Sequence, residues 1–337
     1  MKARKHTLPV HWLFSASALA ITLSLSACGG GSSSSSTDTG GSTGTTYSTA
    51  GVLCTLSGNG NTVTNVAANS SLPFQFTWSC SSTLRTLVAN GIPNHTVGSF
   101  PNANNPNTIA TYNASQSTTI SPSVSSVQAV PIIGYALNGV KFDPNTGGAC
   151  SNSATSSVTV GAGAQCTYLG RGDWSLEAIV PNSPFNFGAD SNNAHVQPTG
   201  EYHYHGAPTG VYSAMGGSES NGLGNKMQIV GWAADGFPIY YKYGYKIATD
   251  ANSGLVLLKG NYKPNSSATT LSNRPLTSVF PLGTFRDDWA YSATNGGDLD
   301  ECNGRNGVTP EFPKGTYYYV ATESYPYVQR CIKGKLS

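Results

Sequence analysis

The chain has 337 residues with 18 basic and 16 acidic side chains, and only 10% of its residues are charged. No basic run lies beyond the first five residues, which argues against nucleic acid or an anionic membrane surface as partners. Low charge with 39 glycines and abundant Asn, Ser and Thr suits an exported, loop-rich β protein better than a helical cytosolic enzyme.

Residues 1–27 read as a signal peptide. Lys2, Arg4 and Lys5 form a basic start, and an apolar stretch runs from about Trp12 to Leu25. Leu25-Ser26-Ala27-Cys28 then resembles the bacterial lipoprotein signal, which implies that Cys28 is lipidated and becomes the first mature residue. Gly29 follows in place of the Asp that favours inner-membrane retention, so the resemblance implies a cell-envelope protein held at the outer membrane. Removal of the signal leaves 15 basic and 16 acidic residues, a net charge of −1.

Residues 28–46 are the anchor and a tether. Beyond Cys28 this stretch holds only Gly, Ser, Thr and Asp38. As a random coil it spans about 23 Å, so the folded part is expected to hang near the membrane without touching it.

Residues 47–337 are expected to form an all-β or mostly β domain with long loops, stabilised by disulfides. Leu72 to Trp78 alternates like a strand, and Thr155 to Val160 and Val256 to Leu258 read as short strands. Ser82 to Asn90 reads as a helix stopped by Gly91. Six cysteines remain after Cys28: Cys54, Cys80, Cys150, Cys166, Cys302 and Cys331. An even set in an oxidising compartment reads as disulfides. Fifteen pairings are open, of which the local one, 54–80, 150–166 and 302–331, is preferred here. No C-x-x-C occurs to suggest thiolate metal sites.

The domain contains a repeat, with units at about 88–220 and 221–333. Ile132-Ile133-Gly134-Tyr135-Ala136-Leu137-Asn138-Gly139-Val140 matches Ile229-Val230-Gly231-Trp232-Ala233-Ala234-Asp235-Gly236-Phe237. Asn-Gly and Asp-Gly predict a hairpin with a type I′ turn in each copy. Fainter matches follow in the same order. Asp190 to His195 corresponds to Asp300 to Arg305, and Gly200 to His205 to Gly315 to Val320. The first unit therefore has His195, His203 and His205 where the second has Arg305, Tyr318 and Val320.

Three of the four mature histidines lie within Ala194 to His205. If Pro198-Thr199-Gly200 is a three-residue hairpin loop, strand alternation places His195 opposite His203. All three imidazoles then share one face with Gln197 and Glu201, and Val196, Tyr202 and Tyr204 share the other. Three convergent imidazoles suit copper or zinc; the competing reading is a set of hydrogen-bonding side chains in a polar groove. His95 is a candidate fourth ligand or an organiser of its own loop. Asp190, Glu201 and Asp235 are candidate ligands or acceptors for imidazole N–H groups, Asp235 being also the natural first residue of a turn. Asp298, Asp300 and Glu301 read as a polar turn beside Cys302 rather than a calcium loop. Tyr240, Tyr241, Tyr243 and Tyr245 either line a sugar groove or pack a sheet face.

Several motifs together resemble the YHYH-domain family of exported proteins. They are Asn90 to His95, Asn138-Gly139-Val140-Lys141-Phe142-Asp143-Pro144, Asn193 to Pro198 and Tyr202-His203-Tyr204-His205-Gly206, followed by Gly231 to Tyr240, Leu299 to Arg305 and Tyr325-Pro326-Tyr327. The resemblance covers most of residues 88–333. The family's late motif often carries a second Tyr-His pair, where this chain has Tyr317-Tyr318. The resemblance implies no particular activity. The G-x-S-x-G at Gly40 to Gly44 lies in the Gly/Ser/Thr tether rather than on a strand-to-helix turn, and no H-E-x-x-H is present. Three functions compete: a metal-binding lipoprotein with copper or zinc, a hydrolytic or redox metalloenzyme using the same histidines, and a metal-free glycan-binding or adhesion module.

Overall fold

Gly, Pro and Asn interrupt the apolar runs so often that strands stay short, and the fold is assembled from hairpins. The structure, a computed structural model, describes residues 45–62, 72–152, 166–167, 172–179, 186–267 and 274–336. Cys28, expected to be lipidated, and the strand expected at 155–160 lie outside these residues.

Strands β1 (Ser57–Thr62), β2 (Leu72–Cys80), β3 (Leu84–Ala89) and β4 (Ala114–Thr119) form an antiparallel sheet in that order. The segment expected as a helix is thus the strand β3. Its buried residues are Arg85, Leu87 and Ala89, a period of two rather than 3.6. Arg85 misleads because it points inward. Its guanidinium lies 3.3 Å from the Trp232 ring centroid and donates to the carbonyls of Thr49 and Val52. Burial lowers its pKa to about 9.

The chain continues through β5 (Val124–Gln128), β6 (Gly134–Ala136) and β7 (Lys141–Phe142). A small sheet of β8 (Ala149–Cys150), β9 (Cys166–Thr167) and β10 (Trp174–Ser175) follows, then β11 (Ala194–Val196), β12 (Tyr202–Tyr204) and the short helix α1 (Thr209–Ala214). Next come β13 (Glu219–Ser220), β14 (Leu223–Gly224), β15 (Ile229–Ala233), β16 (Pro238–Tyr241), β17 (Tyr243–Tyr245) and β18 (Leu255–Leu257). The last are β19 (Tyr262–Pro264), β20 (Trp289–Tyr291), β21 (Gly304–Gly307), β22 (Thr316–Ala321) and β23 (Ile332–Gly334), which pairs with β5. The cysteines are joined as Cys54–Cys80, Cys150–Cys166 and Cys302–Cys331. Each bridge contributes about 2–4 kcal/mol by restricting the unfolded chain.

Eight strands make the main sheet, in the order β11-β12-β7-β6-β15-β16-β22-β21. Read outward from the centre, each half has the same layout. An antiparallel hairpin (β6–β7 or β15–β16) is joined by a parallel step to a second hairpin (β12–β11 or β22–β21). At the centre Tyr135 faces Trp232, Gly134 faces Ala233 and Ala136 faces Gly231. Matching residues of the two copies therefore exchange places about a pseudo-twofold axis through the Tyr135–Trp232 pair. Glycine is required where the copies meet. A Cβ at Gly134 would stand 2.4 Å from the Trp232 carbonyl oxygen, and one at Gly231 would stand 2.6 Å from that of Tyr135.

The hairpin turns differ from the type I′ expected. Gly139 and Gly236 have φ of +81° and +88°, but neither Asn138 nor Asp235 is left-handed. Ala136 and Val140 flank one loop and Ala233 and Phe237 the other, so each loop has three residues with the glycine as its bulge. The Asn138 and Asp235 side chains each accept the backbone N–H two residues on, an Asx-type contact made without a positive φ.

Candidate metal centre

The β11–β12 hairpin turns through Pro198, Thr199 and Gly200. Gln197 N–H donates to the Glu201 carbonyl at 2.9 Å, and Gly200, at φ +91°, donates to Gln197 at 2.9 Å. The odd loop length sets the register at Ala194–Tyr204, His195–His203 and Val196–Tyr202. His195, His203 and His205 therefore leave one face together. Tyr202 and Tyr204 leave the other, where Tyr202 donates to Asp190 at 2.7 Å and Tyr204 meets Asn138 at 3.0 Å. The imidazole face is not an open groove: the three histidines are 8%, 2% and 3% exposed.

The three rings form a near-equilateral triangle, with centroids 4.7, 4.7 and 4.6 Å apart. Nε2 of His203 lies 2.9 Å from Nε2 of His205, which lies 3.0 Å from Nε2 of His195. The tautomers follow from the outer nitrogens. His195 Nδ1 meets the Phe187 carbonyl at 2.9 Å and His203 Nδ1 meets the Glu201 carbonyl at 3.1 Å. A carbonyl only accepts, so both Nδ1 atoms carry the proton and both Nε2 atoms present bare lone pairs. His205 Nδ1 makes no well-formed hydrogen bond among the described residues, although the Asp143 backbone lies near enough to raise the His205 pKa slightly against the effect of burial. Whichever tautomer His205 takes, its ring supplies at most one inward proton for two buried lone pairs.

Protonation is not a ready remedy. Burial holds His203 and His205 well below the ordinary imidazole pKa, and the charges of neighbouring imidazoles push further down. Burial lowers His195 too, partly offset by the Phe187 carbonyl, Asp143 and Asp190. A cation at the centre satisfies all three lone pairs at once. Zinc with nitrogen ligands at 2.0–2.1 Å in tetrahedral array needs nitrogens about 3.3 Å apart, close to the two separations that His205 makes, and all three ligand atoms lie within 4.8 Å of one another.

His95 does not join the trio. It lies beyond the tyrosine face, with Nε2 2.5 Å from the Tyr204 hydroxyl and Nδ1 2.9 Å from the Thr96 carbonyl. Both ring nitrogens are engaged, so the role of fourth ligand is corrected to that of a loop organiser. Asp190 also serves the tyrosine face, where it accepts Gly98 N–H at 2.9 Å. Glu201 supplies its backbone carbonyl to His203, while its carboxylate pairs with Lys141 at 3.1 Å. Asp235 is fully buried on the β15–β16 turn of the second unit and accepts the Tyr319 hydroxyl at 2.5 Å and Gly334 N–H at 2.8 Å. Asp300 accepts the N–H groups of Cys302 and Gly304, both at 3.0 Å, and so caps a turn. Tyr240, Tyr241 and Tyr243 are buried core residues, at most 1% exposed. Their hydroxyls donate to Glu311, Glu219 and the Gly222 carbonyl.

Asp143 was not singled out in the sequence as a site residue, although it closes the Asn138-to-Pro144 motif. It follows β7, which runs parallel to the histidine strand. Its carboxylate accepts Gln197 at 3.1 Å, pairs with Lys141 at 3.2 Å and, with His195 and His203, lines a cavity of about 440 Å³. Only the fold brings this loop to the trio.

The second unit repeats the frame without the ligands. The turns Asp190–Asn193 and Asp300–Asn303 share their hydrogen bonds, and Asn193 and Asn303 share left-handed φ values of +56° and +59°. Tyr317 donates to Asp300 at 3.0 Å as Tyr202 does to Asp190. On the opposite face, Arg305 pairs with Tyr318 where His195 pairs with His203.

The family model described as YHYH protein matches residues 110–334. No curated protein and no solved structure matches the chain. With two thirds of its length matched, the chain belongs to the YHYH family.

Proposed function

We propose that this YHYH protein is a cell-envelope lipoprotein, anchored through Cys28, whose first β unit holds one zinc ion on His195, His203 and His205. The observation that carries the metal reading is the convergence of three buried Nε2 atoms, two of them fixed as bare lone pairs by the carbonyls of Phe187 and Glu201. The near-threefold triangle of rings favours zinc over copper(II). It caps one side of a tetrahedron, whereas copper(II) prefers a square-planar or tetragonal set. The anchor reading is supported by Leu25-Ser26-Ala27-Cys28 and the Gly/Ser/Thr tether after it, and it places the domain at the outer membrane.

Metal analysis of mature protein purified without an affinity tag tests the centre. One zinc per chain is expected, and none in the His203→Ala/His205→Ala variant. Equal metal in both, or no metal bound by either after incubation with zinc, overturns the reading. The cavity beside the trio favours a second reading, chemistry at the same metal, because three protein ligands leave a coordination position open. Turnover by the zinc-loaded protein and none by the double variant separates catalysis from storage.

A further inference from the structure

The cavity meets the trio from one side only. His195 and His203 form part of its wall, and His205 does not. An ion held by the three Nε2 atoms is thus reached past two of the imidazoles. The volume of about 440 Å³ is that of a small-molecule site. Phe187, Pro106 and Pro198 supply apolar surface, and the Phe187 ring lies 5.8 Å from the His195 ring. Asn104 and Asn145 stand at the solvent side as exposed residues. No Lys or Arg lines the cavity among the described residues. The one carboxylate in the wall, Asp143, pairs with Lys141, a cation it shares with Glu201. A multiply charged anion such as a phosphate ester finds no clamp here, because only the metal offers positive charge.

We propose that this cavity binds a small ligand with an apolar body and one oxygen head, a carboxylate or carbonyl. The head takes the open coordination position, and the body lies against Phe187 and Pro198. The inference rests on the metal reading above. It adds a ligand class that metal binding alone does not require, since a buffering site needs no apolar chamber beside it.

The test uses the full mature protein loaded with cobalt(II), whose visible spectrum reports changes at the open position. Acetate and benzoate present the same head with and without an apolar body. Benzoate is expected to bind at least about tenfold more tightly than acetate, since burying a ring removes apolar surface from water. Asn145→Trp fills the mouth of the cavity from an exposed position. It should abolish the advantage of benzoate while cobalt remains at one per chain, and Asn104→Trp provides the same test from the opposite loop. Equal affinities for the two acids overturn the inference and leave the metal reading standing. A benzoate advantage that survives in both tryptophan variants places the ligand elsewhere and also overturns it. Failure of cobalt to bind at all overturns the metal reading, and this one with it.

Discussion

Arg305 stands in the second β unit where His195 stands in the first, each directly across a hairpin from its partner, Tyr318 or His203. The Arg305 guanidinium donates to the Tyr318 hydroxyl at 2.6 Å and to the Tyr245 carbonyl at 2.7 Å. The second unit thus carries a covalently attached cation at the place where the first presents three lone pairs. One metal per chain is expected, not two. Arg305→Ala should leave the zinc content unchanged by elemental analysis, and a fall to zero would show that the second unit contributes to the site.

Metal removal should destabilise the protein. A ligand that binds only the folded state adds about 2.7 kcal/mol when its free concentration is about 100 times Kd. Stripping with a chelator should lower the melting temperature by several degrees, and zinc should restore it. The His203→Ala/His205→Ala variant should show neither response in a calorimetric scan.

The metal-free protein should lose stability as the solution is acidified from neutrality. His195, His203 and His205 have folded-state pKa values below the ordinary 6.5, chiefly through burial. Above pH 6.5 neither state binds a proton there, and the stability is fully present. Below it the unfolded chain takes up protons that the folded chain excludes, so stability falls until the folded values are reached. Denaturant midpoints between pH 7.5 and 5 should drop more steeply for the wild type than for the double histidine variant. Parallel profiles would rule out the trio as the source.

Tyr204→Phe separates the two faces of the hairpin. The substitution removes a buried hydroxyl shared by His95 and Asn138, leaving two polar groups short of a partner. A loss of about 1–3 kcal/mol is expected from urea unfolding. Zinc stoichiometry should stay at one per chain, because the tyrosine lies on the face away from the imidazoles. Loss of metal with the fold intact would contradict the two-faced arrangement.

Cys28→Ala should release the protein from the membrane fraction and remove the acyl mass from its N-terminus. The remaining cysteines should resist alkylation in the folded protein until it is reduced, as the three bridges require. Unchanged detergent partitioning of Cys28→Ala would refute the anchor.

Much of the site was legible because it depends on local parity. The three-residue loop Pro198-Thr199-Gly200 and the two-residue alternation of strands suffice to put His195 opposite His203 and their tyrosine neighbours on the reverse face. The repeat was legible for a similar reason. Gly134 and Gly231 mark places where backbones touch, and the matching order of motifs implied two equivalent halves. Local reasoning went wrong where an inward charge broke the pattern. Arg85 hides the alternation of the strand within Ser82 to Asn90, which is intelligible only once Trp232 is known to lie over its guanidinium. It went wrong again at Asn138 and Asp235, whose side chains capture the N–H two residues on without a positive φ.

The sequence by itself determined the compositional class, the paired halves and the set of residues that share a hairpin face, because strand alternation and glycine-limited turns act over a few residues. Only the tertiary structure decided that the imidazole face is buried, that Phe187 and Glu201 orient two of its rings, that His95 belongs to the tyrosine side, and that Asp143 closes on the trio. Those contacts join segments distant in the chain. Their geometry follows from how the eight-stranded sheet pairs, including the parallel step from β7 to β12, and no local periodicity encodes that pairing.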